Sequence, residues 1–189
     1  MTNKTQHNDS ARWDQYFLSV CRAVSTKSQC LSRQLGALLV QDKSIVATGY
    51  NGPPRGVPHC NTKARREDIV EQFEQMDLYE EEIVDLLLSR LDVCPRRLMG
   101  YKSGLGLEWC MAAHAEKNCL INAARLGVRV QPSILYLSGP MPCKDCMIAL
   151  INAGVTEVVV ETVEMYNDSR FLLDHCDIRI RPFREVRNE

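Results

Sequence analysis

Two short stretches of this chain carry residues that could do chemistry together. His114-Ala115-Glu116 opens one helical pattern, and Pro142-Cys143-Lys144-Asp145-Cys146 opens the next. Cysteines three apart in the first turn of a helix can face one point, and the positive end of the helix favours their thiolates. His114, Cys143 and Cys146 together make three metal ligands. That number suits a catalytic zinc, because the fourth tetrahedral position stays open for a water that the metal acidifies towards neutral pH. Glu116, two residues past the histidine, can reach that water without ligating the metal and is a candidate proton shuttle. A CxxC alone also suits a structural zinc half-site or a redox pair.

The elements that must position these residues follow from the hydrophobic pattern. Trp13, Tyr16, Phe17, Val20, Cys21 and Val24 recur at helical spacing, which predicts an amphipathic helix over 12–28 after a disordered polar tail, 1–11. LGALLV and IVATGY, separated by Gln41-Asp42-Lys43-Ser44, read as a β-hairpin. The loop NGPPRGVPHC follows, with too much proline and glycine for regular structure. An acidic helical pattern over 67–91 places Ile69, Phe73, Met76, Ile83, Leu86, Leu87 and Leu91 on one side, and its charges read as a solvated face. From Ala113 onward the pattern is helix (114–126), strand (Ile134 to Ser138), helix (143–153) and strand (Val155 to Val160). Gly127 and Gly154 stand at the helix stops. Such alternation predicts a βαβ unit with parallel strands. A short helix near 168–174 and a strand from Asp177 to Arg181 complete the sheet.

With 189 residues and 45% hydrophobic content, the chain suits one domain with an insertion. Its 23 Lys+Arg against 24 Asp+Glu give no global basic field, which argues against a nucleic-acid partner. The polar start MTNKTQHNDS and the lack of any run near 18 apolar residues argue for a cytoplasmic protein with no membrane partner. Nine cysteines, an odd number without a secretory signal, point to metal ligands or reduced thiols.

An H-x-E followed by P-C-x-x-C is the zinc deaminase signature. With CLSRQLGALLV, GYNGPPRGVPHC, HAEKN and GPMPCKDC in view, the chain resembles the cytidine and deoxycytidylate deaminase superfamily, most closely the deoxycytidylate (dCMP) deaminases, from about Trp13 to about Phe183. The resemblance implies an α/β, three-layer α-β-α cytidine deaminase-like fold with a five-stranded mixed sheet. It implies one deaminase domain over 12–183 with an acidic helical insertion at 61–93. The implied reaction is hydrolysis of dCMP to dUMP and ammonia, which feeds the dTTP supply. Glu116 would move protons to N3 and to the leaving amine. The asparagine matching Asn51 would hold the sugar, and the backbone N–H matching Ala115 the base carbonyl. Ser28, Arg33, Arg55 and Tyr166 correspond to the nucleotide-binding rim; each taken alone suits a surface or structural role equally well. Many relatives are hexamers activated by dCTP and inhibited by dTTP, so the resemblance implies a homo-oligomer with those effectors.

Cys30, Cys60, Cys94 and Cys110 remain beside turns and loops once the catalytic ligands are set. Some phage and bacterial dCMP deaminases carry a second, structural zinc, with two ligands at the positions matching Cys30 and Cys60 and the others just before HAE. The resemblance implies such a centre here, with His59 as an alternate ligand; the plain reading is buried free thiols. Cys21, Cys119 and Cys176 read as core thiols. Two other activities are open to the same motif: deamination of another cytosine compound or of a base in RNA or DNA, which needs a basic groove. A catalytically silent zinc scaffold is the third reading, and it would not need Glu116.

Overall fold

The computed structural model describes residues 2–78, 80–102, 104–164 and 167–185. In chain order the elements are helix α1 (Thr2–Ser25), strands β1 (Gly36–Gln41) and β2 (Ser44–Tyr50), helices α2 (Lys63–Gln75), α3 (Glu81–Ser89) and α4 (Pro95–Leu98), and a 3-10 turn (Leu107–Trp109). Then come α5 (Ala115–Arg125), β3 (Ser133–Pro140), α6 (Lys144–Asn152), β4 (Val155–Thr162), α7 (Asn167–Asp174) and β5 (Arg179–Pro182). They form two compact units. One comprises Met1–Ser28, Leu35–Asn51 and His114–Glu189, and the other Gln29–Gln34 and Gly52–Ala113. The second unit is wider than the insertion expected over 61–93, taking in the Pro/Gly loop before it and the stretch up to Ala113 after it.

The first unit is built on a five-stranded sheet in the order β2-β1-β3-β4-β5, with β1 antiparallel to β2 and β3, and with β3, β4 and β5 parallel. The mixed sheet and the parallel βαβ unit agree with the sequence reading. Asp42 and Lys43 close the hairpin at φ 46° and 60°. Two left-handed central residues match the right-handed twist of the flanking strands.

Successive side chains of a strand point to opposite faces. Leu38 and Val40 of β1, Tyr136 of β3 and Val159 of β4 therefore pack with Phe17 and Cys21 of α1 on one face. Ala37, Leu39, Leu135, Leu137, Val158 and Val160 pack on the other with Ala115, Cys119 and Ala123 of α5 and Met147 and Leu150 of α6. A sheet covered on both faces explains why LGALLV and ILYL read as unbroken apolar runs. Two glycines set how closely the helices lie. A Cβ at Gly36 would sit 2.1 Å from the Cys21 carbonyl oxygen, and one at Gly49 would sit 2.3 Å from the Cys119 nitrogen.

Three expectations need correction. The tail over 1–11 is helical from Thr2, since no proline or glycine interrupts residues 2–25. The helix expected over 67–91 is two helices, α2 and α3, parted around Asp77, whose φ is 56°. That break resets the helical phase, so Met76 and Leu86 are exposed while Ile69, Phe73 and Leu87 cluster with Trp109. Cys21 and Cys119 are core thiols, but Cys176 is only half-buried, in the bend after α7. The glutamates of α2 face solvent as expected; Arg65 and Arg66 beside them are buried, at 4% and 0% exposure.

Candidate metal centre

His114 is the N-cap of α5 and Cys143 the N-cap of α6, both in extended backbone conformation, with Cys146 in the first turn of α6. Strand β3 runs between the two helices and both pack on one face of the sheet, so their starts meet at one end of it. His114 Nδ1 lies 3.5 Å from Cys143 Sγ and 3.4 Å from Cys146 Sγ. Among the described residues this is the only trio of His, Cys, Asp or Glu whose donor atoms all lie within 4.8 Å of one another. Two soft sulfurs and one imidazole nitrogen suit zinc by donor type and leave a coordination position over.

The trio is electrostatically primed. The Cys143 thiol is drawn down to about 3, first by a hydrogen bond from Cys146 and then by its bond with His114. The same bond to Cys143, together with burial, pushes the Cys146 thiol up. His114 is raised, chiefly by its bond to Cys143.

Glu116 is 3% exposed, and its Oε2 is buried without a hydrogen-bond partner among the described residues. Burial raises its pKa from the ordinary carboxyl value. An orphaned buried carboxylate oxygen next to three metal donors fits a site meant to receive a further polar group. Ala115 is the first residue of α5, where a backbone N–H has no partner within the helix.

Asn51 is buried; its Oδ1 accepts from Leu35 N–H at 2.8 Å, and its carbonyl oxygen accepts from Ser28 Oγ at 2.7 Å. Ser28 is itself buried and buttresses Asn51. Arg33 and Arg55 belong to the second unit and are exposed. Tyr166 lies outside the described residues.

Sequence reasoning missed the residues that hold α5 in place. Asn118 Nδ2 donates to the Tyr50 carbonyl and Asn122 Nδ2 to that of Thr48, both at 2.8 Å. Spaced by four, the two amides face one way and bond the outer strand β2, fixing the axial position of the helix that carries His114 and Glu116. The i, i+4 repeat of asparagine was the available signal.

In the second unit, Cys30, Cys60, Cys94 and Cys110 line one cavity of about 40 Å³, together with His59 and Arg65. Burial and the neighbouring Cys94 and Cys30 push the Cys60 thiol up. Their sulfurs do not form a trio as close as the first one.

A family model described as the cytidine and deoxycytidylate deaminase zinc-binding region matches residues 11–162. The chain is 30% identical over 152 residues to a deoxycytidylate deaminase of Mycobacterium phage D29, covering 78% of this chain and 92% of the relative. It is 28% identical over 172 residues to the deoxycytidylate deaminase of Schizosaccharomyces pombe, covering 90% of this chain but 44% of that one. The chain thus spans less than half the length of the two yeast relatives that it matches. Its fold is similar to that of a dCMP deaminase from cyanophage S-TIM5, solved in complex with dCMP and dUMP. The TM-score is 0.59 at 21% identity, over 89% of this chain and 94% of the other.

Proposed function

The chain belongs to the cytidine and deoxycytidylate deaminase family, and on that premise we propose that it hydrolyses dCMP to dUMP and ammonia. The observation that carries this reading is the convergence of His114, Cys143 and Cys146 beside the orphaned, buried carboxyl of Glu116. The deoxycytidylate deaminase of phage D29, matched over most of its length, supports the choice of dCMP.

His114, Cys143 and Cys146 would hold the zinc, which when bound supplies Lewis acidity and lowers the pKa of a water. Glu116 takes a proton from the attacking water and delivers protons to N3 and then to the departing amine. Its burial serves this cycle, because a carboxyl raised from its ordinary value by burial returns a proton more readily than it gives one up to solvent. The Ala115 N–H, at the positive end of α5, donates to the base carbonyl. Asn51, held by Leu35 and Ser28, bonds the sugar. Arg33 and Arg55 are the candidates for charge-assisted bonds to the phosphate, with Ser28 and Tyr166 as further rim residues.

The four cysteines of the second unit hold a second, structural zinc in this reading, with His59 as alternate ligand. Their shared cavity supports it. The enzyme acts in the cytoplasm as a homo-oligomer, a hexamer by family likeness, with dCTP and dTTP as effectors. The near balance of charge over the chain supports a free nucleotide over a nucleic-acid substrate.

Ammonia release from dCMP, CMP, deoxycytidine and a cytosine-containing oligonucleotide tests the proposal, with dCMP expected to turn over fastest. Turnover of the oligonucleotide alone would sink it. Zinc analysis is expected to find two ions per chain, and one ion would refute the structural centre.

A further inference from the structure

Arg65 and Arg66 are hard to explain as ordinary residues of an acidic, solvated helix. Both are almost wholly buried, and a buried guanidinium is costly unless a negative charge faces it. Arg65 has Asp68, one turn along α2. Among the described residues Arg66 makes no ion pair with any carboxylate, and its Nη1 is buried without a hydrogen-bond partner. Burial lowers both guanidiniums from their ordinary value, and Cys60 is a neighbour of each.

The hydrogen bonds point the same way. Arg66 Nε donates to the carbonyl of Cys60, and Arg66 Nη2 to that of Val93, the residue before Cys94. Arg65 Nη2 donates to the carbonyl of Trp109, the residue before Cys110, at 3.0 Å. Two adjacent side chains therefore tie together the three loops that bring Cys60, Cys94 and Cys110 to one cavity. Phe73, two turns along α2, packs edge-on against Trp109 and holds the helix in register with them.

We propose that Arg65 and Arg66 are the positioning and charge-compensating residues of a four-thiolate metal centre, so that α2 is a built part of that centre. The proposal rests on the reading of Cys30, Cys60, Cys94 and Cys110 as zinc ligands. Four thiolates around a zinc ion leave two negative charges; Arg66, which has no carboxylate partner among the described residues, offsets one, and Arg65, which shares its charge with Asp68, offsets part of the other. Arg96 also lines the cavity; it is half-buried, its Nη1 donates to the Leu105 carbonyl, and its buried Nε has no hydrogen-bond partner among the described residues. The carbonyl clamps bring the cysteine loops close, and metal binding completes the approach of the sulfurs. This gives the insertion a purpose that its acidic composition hides.

The test uses the full chain as wild type and as Arg66→Met, Arg66→Lys and Arg65→Gln. Zinc per chain and the rate of zinc transfer to a colorimetric chelator are measured for each, with the thiolate-to-metal absorption of the cobalt-loaded proteins as a second readout. Wild type is expected to hold two ions. Arg66→Met should keep the ion at His114, which shows that it has folded, and lose the other or release it at least about tenfold faster. Arg66→Lys, which keeps the charge but loses the fork, should fall between, and Arg65→Gln should release faster than wild type. If Arg66→Met does not fold, release from Arg66→Lys decides, and an unchanged rate there overturns the proposal. Two ions with unchanged release and cobalt spectrum in all variants overturn it while leaving the metal reading intact. A single ion in wild type removes that reading and the proposal with it.

Discussion

The starts of α5 and α6 and the cysteine cavity of the second unit solve the same problem, gathering metal donors, from opposite directions. His114, Cys143 and Cys146 stand on two helix ends whose bodies are packed on a sheet buried on both faces. Their donor atoms lie within 4.8 Å of one another. Cys30, Cys60, Cys94 and Cys110 sit in loops of a unit whose buried cluster is Ile69, Phe73, Leu87 and Trp109, and their sulfurs stand further apart. Donors on rigid elements are organised before any ligand arrives; donors on loops need added order from a metal or from counter-charges. On the function proposed above, the first arrangement would serve catalysis, where geometry must already be right, and the second would serve folding.

The largest expected effect tests the catalytic side. Glu116→Gln should lower turnover by about 10²–10⁴-fold while the ion on His114 stays, as read by ammonia release and zinc analysis. Unchanged activity would mean that the helix-end centre does not perform the reaction. Leu137→Ala, deep in the sheet, should cost about 2–5 kcal/mol in denaturant unfolding. That loss should be the same with and without chelator, because packing and not metal orders this unit. A loss that grows when zinc is stripped would blur the contrast.

Chelation should instead open the second unit. Limited proteolysis of the stripped protein is expected to cut within 52–113 about tenfold faster, equivalent to about 1.4 kcal/mol, while 115–162 stays protected. Equal protection of both segments would break the comparison. The smallest effect expected is that of Thr62→Ala. Thr62 caps α2 by accepting from Arg65 N–H at a long 3.5 Å, so its loss should cost about 0.5–1 kcal/mol. Thermal unfolding and zinc release from the second unit should both register it.

Much of the sheet unit was legible because its signals are local. LGALLV and IVATGY announce a hairpin, Gly127 and Gly154 mark helix ends, and two motifs at helix starts supply a candidate donor set. The second unit was harder to read. An unbroken stripe through Met76 and Leu86 looked like one helix, because nothing in a helical pattern reports that Asp77 turns left-handed. The same acidity that marked α2 as a solvated face concealed Arg65 and Arg66, whose burial depends on carbonyls up to 44 residues away. Cys176 looked like Cys21 and Cys119, but exposure is set by what packs over a bend and not by residue type.

By itself, then, the sequence determined which atoms are available for chemistry and how they are spaced along each helix start: one imidazole, two thiols and a carboxyl two residues on. These follow from residue order and the periodicity of the helix. Only the tertiary structure decided that the two helix starts meet, that Glu116 is sealed with one oxygen lacking a partner among the described residues, and that four distant cysteines share a cavity whose loops are tied together by two buried arginines. Those facts rest on contacts between residues far apart in the chain, whose energies depend on burial and neighbouring charge.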